Sequence, residues 1–350
     1  QGPAGSGKTT AGTRWLKKLI QNGVPPYKIL VFVPQRTLFS PYQEELTEGS
    51  INAYGLVNAI TMGGLARRMV DLFWPLVGHD AGFGEPNLPP NFLTLETAQY
   101  YMAHLVRPLI DEKGLFDSLT INRNRIYAQI LDNLNKAAIV GFPHEEIGDR
   151  LKSAWVGEIE QLHIYDDVQF CGDQFRTFCL ENNLLDFSLQ VEIFLEHLWP
   201  SEMVRSYLTQ SYQHLIVDNI EEDTPVSHDI LKGWLPDFKS ALIIFDENAG
   251  YRSFLGADVE SALSLRKVCD QTINFSQNLV SEEPITQVAD GLQNAITRLE
   301  GKGEPNPEPP FDTVRTALVS PESNPKYFPE MVSWVADQIS ILLEEGISPG

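Results

Sequence analysis

The residues best suited to chemistry stand at the start of the sequence. Segment 2–9 reads GPAGSGKT and fits the pattern G-x-x-x-x-G-K-[ST] at every fixed position. Glycines let backbone N–H groups turn toward phosphates, and the positive end of a following helix adds to the attraction. In such a loop the lysine, here Lys8, reaches the β and γ phosphates, and the Thr9 hydroxyl ligates Mg²⁺. The sequence therefore predicts binding of ATP with Mg²⁺.

The predicted nucleotide-binding residues form one uninterrupted stretch: Gly2, Pro3, Ala4, Gly5, Ser6, Gly7, Lys8, Thr9 and Thr10. A glycine-rich turn without function is the plainer interpretation of this stretch. We disfavour it because a helical pattern follows the loop directly, as phosphate binding at a helix N-terminus requires.

A second candidate position lies at the end of an apolar strand, QHLIVD. Its last residue, Asp218, is expected to hold Mg²⁺ together with Thr9. A hydrolase of this kind often has a glutamate next, but here Asn219 follows, and an amide cannot accept a proton from water. Asp223 follows Glu221 and Glu222 in the sequence. Either one of these acids, with Glu221 and Glu222 as the candidates, takes over as catalytic residue beside Asp218, or the three form a turn that caps the next helix. We favour the capping turn.

The elements that position these residues read as alternating strands and helices. A helix is expected at 10–21 after the loop, and segment 78–90, rich in glycine and proline, is expected to be a surface loop. Near-continuous apolar runs, typical of buried parallel strands, predict strands at 28–34, 213–218 and 241–246, with a shorter strand starting near 59. Residues 94–198 look helical without a convincing strand. A further strand is expected at 314–319 and a last helix at 330–345.

Composition narrows the class of protein. The 350 residues suit two or three domains, and the hydrophobic and charged fractions, 43% and 21%, are those of a globular protein. The sequence shows no apolar run of the ~18 to 20 residues that a membrane helix needs and no secretory signal. We therefore expect no membrane partner. The three cysteines are too few and too irregularly spaced for a disulfide framework, so we expect reduced thiols in a cytoplasmic protein. The net charge of −21 argues against a protein that binds nucleic acid over most of its surface, but it is compatible with a narrow basic groove.

Several segments resemble, in the same order, the motifs of UvrD/Rep-type superfamily 1 DNA helicases. Segment 207–225 (YLTQSYQHLIVDNIEEDTP) resembles the family's R-Y-x-x-I-L-V-D-E-F-Q-D-T, and 183–187 (NLLDF) resembles L-D-F-D-D-L. Segment 61–68 (TMGGLARR) resembles T-F-H-S-F-A-x-R. Further along, 245–257 (FDENAGYRSFLGA) resembles G-D-D-D-Q-S-I-Y-S-F-R-G-A, and 273–281 (INFSQNLVS) resembles I-x-L-x-Q-N-Y-R-S. Their shared order is more specific than any one of them.

The resemblance implies a motor that moves along single-stranded DNA, with ATP bound between two RecA-like domains. It places Thr61, Arg67 and Phe254 among the DNA-binding residues, with Phe254 stacking on a base. Trp74 is also aromatic, but we expect it to pack in the core beside Pro75.

The resemblance also implies an α/β fold, in which a RecA-like P-loop NTPase domain with a parallel sheet carries a helical insertion. We expect the first part of that domain at 1–90, the insertion at 91–182 and the second part at 183–300. A linker at 301–310, rich in proline and glycine, then leads to the truncated start of a second RecA-like domain at 311–350.

Four departures from the family pattern weaken the expected hydrolysis. Ala249 replaces a glutamine that senses the γ-phosphate, Val280 and Leu255 replace arginines, and Asn219 replaces the base. Loss of a positioned arginine can slow phosphoryl transfer by roughly 10³ to 10⁵. Such decay resembles the inactive-motor subunit of AddAB-type helicase–nucleases.

Two hypotheses follow. One is an ATP-binding helicase core that acts on single-stranded DNA in repair or recombination, with weak hydrolysis. The other is a catalytically silent scaffold subunit of a helicase–nuclease complex, with a partner subunit. A small-molecule kinase would explain the loop but none of the later segments.

Overall fold

A computed structural model describes residues 1–48, 56–299, 313–314, 317–321 and 323–348. The chain forms two compact units, 1–278 and 279–350. The strands of the first unit are β1 (Ile29–Phe32), β2 (Asn58–Ile60), β3 (Asn91–Phe92), β4 (Leu184–Leu185), β5 (His214–Val217) and β6 (Ser240–Ile243).

The main sheet contains β2, β1, β5 and β6 in that order, and all its neighbouring strands are parallel. All four residues of β1 are fully buried, as expected for a parallel strand covered on both faces. The strands predicted at 28–34, near 59, at 213–218 and at 241–246 are thereby confirmed. Parallel strands end at one edge of the sheet, and the loops that follow β5 and β6 meet there.

The start of the chain lies along the same sheet. Gly2 forms a parallel bridge with Asp246, just beyond β6. On the other side, the Gln1 amino group donates to the Ile273 carbonyl, and the Phe275 N–H donates to the Gln1 carbonyl. The loop of residues 2–8 therefore begins from a backbone segment fixed on both sides.

Helices surround the sheet in the first unit. They are α1 (Lys8–Gln21), α2 (Ser40–Glu48), α3 (Met62–Val77), α4 (Leu95–Lys113), α5 (Arg123–Val140), α6 (Ile147–Ala154), α7 (His163–Glu181), α8 (Phe187–Ile193), α9 (Glu202–Ser211), α10 (Pro225–Trp234) and α11 (Val259–Ser264). Side-chain caps start several of them: Thr94 caps α4, Asn122 caps α5 and Asp186 caps α8.

Successive residues of β1 face opposite sides of the sheet, and each side has its own hydrophobic core. Ile29 and Val31 of β1 pack with α1 and α2, whereas Leu30 and Phe32 face the larger core, to which α3, α5, α8 and α10 contribute. This is a mixed α/β fold with a parallel sheet and helices on both faces, and the predicted fold class is confirmed to that extent.

The region from 94 to 198 is helical, as predicted, but the expectation of no strand there is wrong. β4 pairs in parallel with β3, through N–H groups of Asn91 and Leu93 that donate to the carbonyls of Asn183 and Leu185. Two-residue strands are too short to show an alternating pattern in the sequence.

The second unit contains α12 (Glu283–Leu299) and α13 (Phe328–Glu344). The last helix is thus confirmed. The strand predicted at 314–319 is wrong for the residues of it that the structure describes, and residues 315 and 316 lie outside them. Val314 and Ala317 are helical, and the Leu318 N–H donates to the Val314 carbonyl at 2.9 Å. This local bond satisfies backbone groups that a strand would have to pair with a neighbour. The linker predicted at 301–310 lies outside the described residues.

Across the described ranges, no helix combines the length and apolar character that crossing a membrane requires.

Candidate nucleotide-binding site

The loop ahead of α1 has the backbone shape that its glycines allow. Gly5 and Gly7 have φ angles of 71° and 85°, in the left-handed region that glycine adopts without steric cost. The loop also packs closely on residues 275–278. A Cβ on Gly5 would lie 2.6 Å from Oδ1 of Asn278, so the Asn278 side chain would have to move, and the positive φ would strain any residue other than glycine. Left-handed turns of this kind can direct successive N–H groups toward an anion.

Lys8 is held over this loop. Its side chain is only 8% exposed, and its ammonium group donates to the Pro3 carbonyl, to Ser6 Oγ at 3.3 Å and to Asp246 Oδ2 at 3.2 Å. Asp246 follows β6 and thus joins the loop to the edge of the sheet. The ion pair keeps a cation beside the loop, where phosphate binding needs one.

The structure brings together Thr9 and Asp218, the two predicted Mg²⁺ ligands. Asp218 is buried directly after β5. Burial raises the pKa of its carboxyl, while hydrogen bonds from Tyr42, Thr9 and the Asn219 N–H act in the opposite direction. Tyr42 Oη donates to Oδ2 at 2.8 Å and the Asn219 N–H to Oδ1 at 2.9 Å.

These oxygens fit Mg²⁺. Magnesium in nucleotide sites is usually held by one or two carboxylates and by substrate phosphates rather than by a complete protein cage. A carboxylate and a hydroxyl beside a phosphate-type loop match that donor set. In the described part of the chain, no group of three or more His, Cys, Asp or Glu side chains offers an alternative metal site.

The two glutamates of the acidic turn after β5, Glu221 and Glu222, make different contacts. Glu221 is fully buried, its Oε2 accepts from the Asp246 N–H at 3.0 Å, and its Oε1 accepts from the Asn219 side-chain amide at 3.4 Å. Burial raises the pKa of Glu221 to about 7. Glu222 instead accepts N–H bonds from Gly250, Tyr251 and Arg252 at 2.8, 3.1 and 3.0 Å.

Glu222 therefore caps the short helical turn Tyr251–Leu255, as a carboxylate at a helix start should. The prediction that the acidic turn caps the next helix is therefore wrong for Glu222, which caps a turn after β6 instead. The N-cap residue of α10 is Thr224. The sequence could not show this because residues 222 and 250 meet only through the pairing of β5 with β6.

The predicted DNA-binding residues lie near opposite edges of the four-stranded sheet. Thr61 follows β2 and caps α3, accepting from the Gly64 N–H at 3.1 Å. Arg67 on α3 is exposed, and its guanidinium lies over the Phe92 ring at 4.3 Å. Phe254 is 68% exposed in the turn after β6. Trp74 packs against Phe83 in the core, as expected.

Two site residues lay outside the sequence prediction, Tyr42 and Asp246. Asp246 had a signal, because it ends the apolar run ALIIFD just as Asp218 ends its own. Tyr42 had none, because it is a single aromatic residue in a polar helix.

Comparison with protein-family models and with curated proteins finds no match for this sequence. The helicase resemblance thus rests on the motifs quoted above.

Proposed function

We propose that this chain is the ATP-binding core of a UvrD/Rep-like DNA helicase, acting on single-stranded DNA in repair or recombination, and that it hydrolyses ATP slowly. The observation that carries the ATP-binding part of the proposal is the meeting of Lys8, Thr9, Asp218 and Asp246 around one glycine-bearing loop at the carboxyl edge of a parallel sheet. The helicase part rests on the order of the motifs in the sequence. That edge is where α/β folds bind ligands.

Each of these residues has a distinct task in binding. Lys8 donates to phosphate oxygens in place of the Pro3 carbonyl, and Asp246 orients the ammonium group. Thr9 and Asp218 would hold Mg²⁺, which would supply positive charge to the phosphates of the bound nucleotide. The N-terminus of α1 adds its dipole.

Slow hydrolysis follows from the residues near Asp218. Asn219 cannot take a proton from water, Glu221 is buried against the Asp246 backbone, and Glu222 is occupied by three backbone N–H groups. A positioned general base contributes roughly 10² to 10⁴ in rate. These contacts leave the site better equipped to hold ATP than to activate water.

The same observation supports a second candidate, the silent scaffold subunit of a helicase–nuclease. In that case ATP is a structural or regulatory ligand and no turnover is coupled to DNA. The two candidates share the binding residues and differ only in hydrolysis.

The test measures Mg²⁺-dependent ATP binding and DNA-stimulated ATP turnover on the full chain. We expect tight binding, slow turnover that single-stranded DNA stimulates, and loss of both in Lys8→Ala. Lys17→Ala is the matched control, because Lys17 lies on the same helix but pairs with Glu45 at the surface. Tight binding without turnover would favour the scaffold, and absence of ATP binding to the unmodified chain would refute both candidates.

A further inference from the structure

Tyr42 lies outside the predicted site but reaches its centre. The side chain is 0% exposed on α2, and its ring stacks on Phe39 with centroids 6.1 Å apart and planes 7° apart. Its hydroxyl donates to Asp218 Oδ2 at 2.8 Å. Packing fixes the ring, and the ring therefore fixes where its hydroxyl points.

Gly12 makes this contact possible. It lies on α1, facing Tyr42, and a Cβ there would be 2.4 Å from the Tyr42 hydroxyl oxygen and 2.8 Å from the Ile244 side chain. Glycine weakens a helix interior, so its presence there calls for a packing reason. The close approach of the phenol supplies that reason.

The hydrogen bonds that Asp218 accepts determine how many of its lone pairs remain available to a cation. A carboxylate offers about four acceptor positions. Three donors already address Asp218: Tyr42 at Oδ2, the Asn219 N–H at Oδ1, and the Thr9 side chain. The Thr9 hydroxyl gives its proton to Asp218 and keeps its own lone pairs for a cation. With about four acceptor positions and three donors, one position on Asp218 remains for a cation.

We propose that Tyr42 is a positioning residue for the Mg²⁺ ion that accompanies the nucleotide, because its buried phenol fixes the orientation of the Asp218 carboxylate, which Thr9 also contacts. This inference rests on the proposed ATP binding. It assigns Tyr42 no contact with the nucleotide and no role in binding that is independent of the metal.

The experiment titrates Mg²⁺ into the full chain with a fluorescent ATP analogue and repeats the binding measurement in EDTA. For Tyr42→Phe we expect the Mg²⁺ concentration at half-maximal binding to rise about tenfold, as for the loss of one hydrogen bond to a charged group. Binding of the analogue in EDTA should be unchanged. A purely structural role would weaken binding equally in both conditions.

The matched control is Tyr127→Phe. Tyr127 is also buried, on α5, and its hydroxyl has no hydrogen-bond partner among the described residues. We expect it to leave both measurements unchanged. If Tyr42→Phe does not fold, Gly12→Ala tests the same contact, since it keeps the phenol, displaces its hydroxyl and favours the helix.

An unaltered Mg²⁺ requirement in Tyr42→Phe, or an equal loss with and without Mg²⁺, would overturn the inference. Failure of the unmodified chain to bind the analogue would instead refute the proposed function. The two failures are therefore distinguishable.

Discussion

Replacing Arg176 with methionine should destabilise the first unit strongly. Arg176 lies on α7 with its side chain 5% exposed, and it donates to Asp186 Oδ1 at 3.0 Å, Ser188 Oγ at 3.0 Å and Glu192 Oε1 at 2.9 Å. The side chains of Asp186 and Glu192 are 3% and 15% exposed. Methionine fills a similar volume but leaves two buried carboxyl groups without their cation.

The expected cost follows from these contacts. Hydrogen bonds to charged groups contribute about 1.5 to 3 kcal/mol each, and removing one partner of a buried ion pair typically costs about 3 to 5 kcal/mol. Asp186 keeps its bonds from Ser188 and from the Leu189 N–H, and Glu192, whose pKa is already about 7, can take up a proton, so both groups limit the loss. We therefore expect the free energy of unfolding to fall by about 3 to 5 kcal/mol in Arg176→Met.

Urea unfolding at pH 7.5, followed by circular dichroism and by tryptophan fluorescence, measures this change. Arg123→Met is the control, because Arg123 pairs with Asp111 at 2.7 Å on an exposed surface, where ion pairs contribute little. A loss below about 1 kcal/mol in Arg176→Met would refute the assumption that this network holds α7 and α8 together.

Two further predictions concern Glu192 and Phe254. Burial raises the pKa of Glu192 from its usual 4.5 to about 7, so the stability that this group contributes is complete below pH 4.5 and is lost as the pH rises through about 7. Glutamine does not titrate, so Glu192→Gln should remove that loss. Between pH 5 and pH 8, the free energy of unfolding measured in urea should fall by about 3 kcal/mol less in the variant than in the unmodified chain. Equal pH dependence of the two proteins would contradict this. Phe254→Ala should weaken single-stranded DNA binding by about 1 to 3 kcal/mol without lowering stability, whereas Tyr100→Ala, at the same 68% exposure on α4, should bind DNA normally. Unchanged anisotropy titrations of a labelled oligonucleotide would remove Phe254 from the DNA-binding surface.

The sequence predicted the main sheet because its strands are unbroken apolar runs. Ile29 to Phe32 cannot be exposed on either face, and that alone requires a parallel strand covered by helices. The loop was predictable for a similar local reason, since its glycines and Lys8 stand in one short segment. Thr9 and Asp218 were placed together by pattern, and the structure brings them into contact.

Long-range partners could not be predicted in the same way. Lys8 pairs with Asp246 because the start of the chain lies beside the end of β6, where Gly2 bridges Asp246. Glu222 caps a turn at Gly250 because β5 and β6 lie side by side. Neither contact follows from a spacing in the sequence. In the predicted strand at 314–319, the local sequence itself was misleading. Its residues favour an extended chain, but in the described structure Leu318 bonds back to Val314.

The short pairing of Phe92 with Leu185 has a consequence for how the chain reaches its fold. β1 must find β5 far along the sequence, and closing a long loop costs conformational entropy. Once β3 and β4 have paired, residues 95–181 form a closed excursion, and the loop still to be closed between β1 and β5 is about half as long. Each halving of a flexible loop lowers the closure cost by about 0.6 kcal/mol. Pairing of β3 with β4 thus lowers the entropic cost that remains for the pairing of β1 with β5.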